Sequence, residues 1–104
     1  MNIAKMMQQA KKMQENMKVM QEELAAMEID GEAGGGMVKV RMGGDRMVRR
    51  ITIDSSLWEE QDKDLIEDLM VAAFNNAAQK VEELAKQKQQ GLMAGMPLPP
   101  GFSL

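Results

Sequence analysis

Few side chains in this sequence are suited to covalent or acid–base catalysis. The chain has no cysteine and no histidine, which removes the thiolate nucleophile, the usual general base and the commonest metal ligand. The hydroxyl groups that remain as nucleophile candidates are those of Thr52, Ser55, Ser56 and Ser103. Asp and Glu number 16, but no spacing among them singles out a catalytic pair. The sequence therefore predicts a protein that is not an enzyme, with no cofactor, no metal and no small-molecule substrate.

The glycine-rich block over residues 31–36, GEAGGG, is another candidate because such loops can hold phosphate groups. The block lacks the Gly-Lys-Ser/Thr ending of a phosphate-binding loop, and it leads into an alternating strand pattern where a helix is needed. We interpret the glycines as backbone geometry that allows a tight turn and close approach between strands. On this interpretation, replacing Gly35 with valine disrupts folding without a specific loss of ligand.

The charged residues are segregated along the chain, although the net charge is only -3. Residues 1–20 carry four lysines against one glutamate, whereas residues 21–32 carry five acids and no base. Residues 39–50 carry five bases against one acid, and residues 54–68 carry seven acids against one lysine. Local basic segments suit phosphate binding, but lysines that only keep a surface solvated give the same pattern.

Lysines on two predicted helices are the first candidates for contacts with nucleic-acid phosphates. They are Lys5, Lys11, Lys12 and Lys18 in the first helix, and Lys80, Lys86 and Lys88 in the last. The second choice is a cluster in a predicted hairpin, Arg46, Arg49 and Arg50, whose guanidinium groups could instead pair with nearby acids. Trp58 has no aromatic neighbours in the sequence, so we expect a packing residue and not a base-stacking platform.

A heptad pattern positions the first set of lysines. Apolar residues recur at intervals of three and four, at Ile3, Met6, Ala10, Met13, Met17, Met20, Leu24 and Met27. The pattern predicts a helix over residues 2–28, roughly 40 Å long, with its lysines off the apolar stripe. So narrow a stripe requires a second helix beside it, from this chain or a partner. We expect a homodimer in which these eight residues form the seam.

The middle of the chain alternates with the period of two that is typical of strands. Val38, Val40 and Met42 share one face of the first run, and a second run covers residues 47–53. Gly-Gly-Asp at residues 43–45 supplies the turn of a hairpin between them. A shorter strand at residues 29–32, connected through the glycine block, completes a three-stranded antiparallel sheet.

A second long helix is predicted after a connection or short helical turn at residues 55–61. Asp62 is the expected N-cap of that helix. Its apolar face is wide at first and narrow later, which predicts burial at the start and exposure towards Gln90, with Gly91 as the stop. The predicted fold is thus α+β, with one domain over residues 1–90 and an irregular Gly/Pro-containing tail over residues 91–104.

Four segments, spread over nearly the whole chain, resemble one family. They are GEAGGGMVKV at 31–40, IDSSLW at 53–58, DLMVAAFNNAAQK at 68–80 and a tail that ends in MPLPPGFSL. They resemble the YbaB/EbfC nucleoid-associated DNA-binding proteins. The resemblance implies a tweezer-like homodimer whose helical arms hold double-stranded DNA, with a nucleoid or gene-regulatory role.

Two further expectations concern location and specificity. The sequence shows neither a signal-peptide pattern nor a long apolar run, which favours the cytoplasm and no membrane partner. No recognition-helix signature is visible, so we expect binding through phosphates with little sequence specificity. From the residues alone a rival stays open, in which the heptad helix is a coiled-coil-type protein-interaction module that does not bind DNA.

Overall fold

Each predicted helix and strand is present in the computed structural model, which describes residues 2–94 and, for residues 92–94, the backbone alone. The elements in chain order are α1 Ile3–Ala26, β1 Glu28–Ala33, β2 Val38–Gly43, β3 Val48–Ile53, α2 Ser55–Glu59 and α3 Lys63–Ala94. This order confirms the predicted α+β architecture of two long helices around a three-stranded antiparallel sheet. The last ten residues of the predicted tail, 95–104, lie outside the described residues.

The sheet has the order β1-β2-β3, with both pairs antiparallel. Val40 of β2 lies opposite Gly31 of β1 on one side and Ile51 of β3 on the other. The register shifts between Arg41 and Met42, because Arg41 pairs with Arg50 and Met42 pairs with Val48. Arg49 is therefore the extra residue of a bulge at the hairpin end of β3.

The glycine block forms the turn between β1 and β2, as predicted. Gly34, Gly35 and Gly36 have φ values of 64°, 67° and 91°, a left-handed conformation that glycine adopts without steric cost. Gly31, inside β1, has a different role: a methyl group on its Cα would overlap the backbone nitrogen of Ala77 and lie 2.6 Å from the carbonyl oxygen of Ala73. Gly31 therefore allows α3 to lie directly on β1.

The core lies between α3 and one face of the sheet, mainly over β1 and β2. The side chains with no exposed surface are those of Val38, Val40, Leu57, Ala73, Ala77 and Val81. The prediction that α3 is buried at its start is wrong, since Leu65 and Val71 are exposed and burial is deepest from Ala73 to Val81. The reason is that α3 is longer than the sheet it packs on: strands of six residues span about 20 Å, whereas a 32-residue helix spans about 48 Å. The sheet therefore covers the middle of α3 and reaches neither end.

Side-chain caps mark where the helices begin. The Asp62 carboxylate accepts a hydrogen bond of 3.1 Å from the backbone N–H of Leu65, which confirms the predicted N-cap of α3. Asp54 caps α2 by accepting from the backbone N–H of Ser56 at 2.9 Å, and bonds from the Ser56 hydroxyl and N–H hold the pKa of Asp54 below its usual value.

Two predicted helix ends differ from the structure. The predicted stop at Gly91 is wrong, since α3 continues to Ala94. One glycine in a helix interior costs only about 1 kcal/mol relative to alanine, which does not end a helix whose neighbouring residues favour it. The first helix ends at Ala26, two residues before the predicted end, because Glu28 already pairs with Gly43 in the sheet.

Candidate nucleic-acid interface

Most of α1 projects from the body of the protein. Its buried residues, Met20 and Leu24, lie in the last two turns, where the neighbouring elements are α3 and β2. Ile3, by contrast, is 70% exposed, and Met6 and Met17 are also exposed. The molecule is correspondingly elongated, with extents of 69 × 25 × 16 Å. We call residues 3–18 of α1 the arm.

The heptad stripe is thus buried against the same chain at one end and mostly exposed along the arm, where Met13 is half-buried. Lys88 on α3 pairs with Glu23 at 3.3 Å, which places α3 beside the base of the arm. At the base of the arm, where Met20 lies beside Lys88, the second helix that the stripe requires is therefore α3. A homodimer seam over all eight stripe residues stays a prediction.

The arm carries four exposed lysines in two rows. Lys5 and Lys12 form one row and Lys11 and Lys18 the other, because residues seven apart on a helix lie on one face, roughly 10 Å from each other. Across the part of the chain that the structure describes, the ion pairs within 4.0 Å include none of these four lysines. The arm therefore presents cationic groups to solvent and away from its apolar stripe.

The candidate lysines of α3 already have hydrogen-bond or ion-pair partners within the chain. The Lys80 ammonium donates to the carbonyl oxygen of Asp30 at 3.0 Å, and Lys86 pairs with Glu82 at 3.5 Å. The Lys88 side chain is only 26% exposed because it lies against Glu23. A phosphate would have to displace these partners, so the α3 lysines are weaker candidates than the arm lysines.

Of the three candidate arginines in the hairpin, one forms an ion pair within the described residues and two do not. Arg49 donates to the Asp45 carboxylate at 3.0 Å and to the carbonyl oxygen of Ala25 at 3.3 Å, so it fastens the hairpin to the end of α1. The backbone N–H of Met47 and this guanidinium hold the pKa of Asp45 below its usual value. Among residues 2–94, no ion pair within 4.0 Å involves Arg46 or Arg50.

The sheet face away from α3 carries several charges, of which only Arg50 is among the predicted site residues. Arg41 donates to Asp30 at 3.0 Å and lies 3.7 Å from Glu28, and its hydrogen bond holds the pKa of Asp30 below its usual value. Arg50 lies directly opposite Arg41 and adds a like charge. The strand alternation itself could have shown this face, because it places Lys39 and Arg41 opposite the buried valines.

The prediction that Trp58 is a packing residue is wrong, since the side chain is 67% exposed. Helix α2 has five residues, so only one of its side chains can reach the core, and Leu57 takes that position with no exposed surface. Nothing in the sequence distinguishes the two.

No group of three or more Asp or Glu side chains in residues 2–94 is arranged to hold a metal ion. Over the same residues, neither long helix has a stretch apolar enough to cross a lipid bilayer. The positively charged arm is therefore the first candidate site in these residues, and exposed Arg46 and Arg50 of the hairpin are the second.

Two comparisons with known proteins bear on this site. The sequence model of the YbaB/EbfC DNA-binding family matches residues 1–96. The fold is similar to a crystal structure of an uncharacterized protein from Helicobacter pylori, with a TM-score of 0.79 and 25% sequence identity. That similarity covers 89% of this chain and 98% of the Helicobacter chain, so it extends over both long helices and the sheet.

Proposed function

Because this chain belongs to the YbaB/EbfC DNA-binding family, we propose that it binds duplex DNA mainly through phosphate contacts, with little sequence specificity. The observation that carries this proposal is the set of exposed arm lysines without ion-pair partners in residues 2–94. Nucleoid association and an effect on gene expression follow as the biological role, and the nucleoid in the cytoplasm as the location.

The chemistry of such binding is neutralisation of phosphates and release of condensed counterions. Each phosphate that a lysine neutralises adds roughly 0.9 to the slope of log affinity against log salt on B-DNA. Contacts of this kind orient a protein on the duplex without reading bases. Lysine ammonium groups on a straight helix fit this role, because they offer point charges and no fixed hydrogen-bond pattern.

A second candidate function is supported by the uncovered apolar stripe of the arm, where Ile3, Met6 and Met17 are exposed. This stripe suits a coiled-coil-type protein partner, with the lysines serving only solubility. Binding of a labelled duplex in roughly 50 and 200 mM salt, with unrelated unlabelled duplexes as competitors, separates the two functions. We expect competition by every duplex and a large loss of affinity at the higher salt. Retention of a protein partner with no retention of any duplex would favour the rival.

We further propose that the protein is a homodimer, and that part of its interface lies beside β3. Ile51 pairs with Val40 and so belongs to the face that α3 covers, yet Ile51 is 40% exposed. On α3, the side chains of Met70, Val71 and Phe74 line an open apolar groove of about 440 Å³. Apolar surface left by a three-stranded sheet under one helix is the kind that a second subunit covers.

We expect the parent protein to sediment at twice its chain mass of 11.6 kDa, and an Ile51→Asp, Val71→Asp variant to sediment as a monomer. Aspartates at these two exposed apolar positions would be buried without partners in the proposed dimer. Val19→Asp is the matched control, because Val19 is equally apolar and exposed but lies on α1. A parent mass of one chain at micromolar concentration would contradict the homodimer.

A further inference from the structure

One row of methionines on α1 shows how far the apolar stripe is covered. Met20, Met13 and Met6 are seven residues apart and so lie on one face of the helix, roughly 10 Å from one to the next. Met20 is 8% exposed, Met13 is half-buried and Met6 is 55% exposed. The cover on this row is therefore greatest at the base of the arm and falls towards its tip.

Helix α3 lies beside the base of the arm and ends partway along it. The Lys88 ammonium lies 3.3 Å from Glu23, and Lys88 lines one groove with Asn16 and Val19, which are closer to the tip of the arm than Glu23 is. The molecule is 69 Å long and only 25 Å wide, so the two long helices run along one axis and overlap in part. Ala94 is six residues, or roughly 9 Å, beyond Lys88, which places the end of α3 beside the inner half of the arm.

The residues that follow α3 have the composition of a cover for the rest of the stripe. Residues 95–104, GMPLPPGFSL, contain no charged side chain, and we call them the outer tail. Their four large apolar residues are Met96, Leu98, Phe102 and Leu104. These occupy even-numbered positions only, so an extended chain presents all four on one face. Such a face gains free energy when it leaves water, and the flexible methionines of the arm can adapt to it.

The outer tail is also long enough to follow the arm. From Met13 to Ile3 the stripe rises by roughly 15 Å, whereas ten residues of extended chain span about 33 Å. Three prolines in the segment favour extended backbone and reduce the conformational entropy that is lost on docking.

A helix from a second copy suits this part of the stripe less well. A coiled coil generally requires about three to four heptads. The stripe beyond the half-buried Met13, from Met13 back to Ile3, contains fewer than two. A single extended segment from the same chain has no such length requirement.

We infer that the outer tail packs along the apolar stripe of its own arm, from Met13 towards Ile3. The four arm lysines lie off this stripe, so they stay exposed when the tail is in place. The contact closes the face that suits a coiled-coil partner, and with it the outer half of the predicted homodimer seam, and it leaves the face proposed for DNA open. Packing of the tail does not require DNA binding, so either can fail without the other.

A tryptophan on the stripe tests this contact in the full chain. Trp58 is the only tryptophan, so a Trp58→Leu, Met6→Trp chain has a single indole on the exposed part of the stripe. We expect it to emit at shorter wavelength than the indole of a Trp58→Leu, Gln8→Trp chain, because Gln8 lies on the opposite face of the arm. Equal emission from the two indoles would overturn the inference.

Two charged variants of the outer tail, made in the Met6→Trp chain, identify what covers the indole. Leu98→Asp with Phe102→Asp should move the emission to the wavelength of the Gln8→Trp chain, because the carboxylates would be buried against the stripe. Gly101→Asp with Ser103→Asp adds the same charge on the other face of an extended chain and should leave the emission unchanged. An emission that neither pair alters would show that another surface covers Met6, and would overturn the inference.

Cysteine pairs test whether the tail and the arm belong to one chain. Leu98 is four residues, or about 13 Å of extended chain, beyond Ala94, which brings it to the level of Met6. The chain has no cysteine, so Met6→Cys with Leu98→Cys supplies the only thiols. Under mild oxidation we expect the disulfide within one chain to form at least about tenfold faster than for Gln8→Cys with Leu98→Cys, because a docked segment has a higher effective concentration at its own site. Equal rates, or a disulfide that joins two chains and doubles the mass, would contradict packing of the tail on its own arm.

Discussion

We expect a variant with Lys5→Glu, Lys11→Glu and Lys12→Glu to lose detectable binding to duplex DNA while it keeps its fold. The three changes reverse three charges and so lower the net charge by six units per subunit, at exposed positions off the apolar stripe and without ion-pair partners in residues 2–94. Non-specific DNA affinity comes almost wholly from such contacts, with typical Kd values of about 10⁻⁴ to 10⁻⁶ M. A loss of more than about a hundredfold takes the affinity out of the measurable range.

A double variant with Lys86→Glu and Lys88→Glu, assayed by the same titration, is the control for the triple variant. We expect a smaller loss, because these lysines are already paired with Glu82 and Glu23. Circular dichroism and sedimentation should give the parent's helix content and mass for the triple variant. If that folded variant binds duplex DNA as tightly as the parent at low salt, the arm mechanism is wrong, and Arg46 and Arg50 become the next candidates.

The second large effect is expected at Gly31. A Gly31→Ala change should lower the free energy of unfolding by at least about 3 kcal/mol, because the new methyl group meets the backbone of α3 at Ala73 and Ala77, which cannot move aside as a side chain can. Urea denaturation measures this free energy. A stable Gly31→Ala variant would contradict the direct packing of α3 on β1.

Gly35→Ala is the control for Gly31→Ala. No heavy atom lies within 4 Å of an added Cβ at Gly35, so only its φ of 67° opposes a side chain, at a cost of about 1 to 2 kcal/mol. We therefore expect Gly35→Val to destabilise the fold only through this backbone strain and the added restriction of its β-branched side chain, and not through a steric clash. Loss of nucleotide binding alone in a folded variant would contradict our interpretation of the glycine block.

The parts of the fold that could be predicted from the sequence depend on local interactions. The N-cap at Asp62 requires a carboxylate three residues before the Leu65 N–H, and the alternation of Val38 and Val40 follows from the geometry of one strand. The positive φ angles of residues 34–36 follow from glycine itself. Such features can be predicted because the residues that cause them are neighbours in the chain.

The features that could not be predicted depend on distant residues. Lys80 bonds to Asp30, 50 positions away, and Lys88 to Glu23, 65 positions away, so the distinction between paired and unpaired lysines required the tertiary structure. Exposure of Trp58 depends on which side of α2 faces the core, and the uneven burial of α3 depends on how far the sheet extends beneath it. Neither the orientation of α2 nor the extent of the sheet beneath α3 can be obtained from composition or periodicity.

The central claim, that the arm lysines bind DNA phosphates, is tested most directly by the salt dependence of affinity in the parent and in single arm variants. We predict a linear fall of log affinity with log salt. Each Lys→Ala change at Lys5, Lys11 or Lys12 should make the slope less steep by about 0.9 for every phosphate that is no longer neutralised, equally for unrelated duplexes. An affinity that does not change with salt, or a slope that none of these changes alters, would contradict the claim.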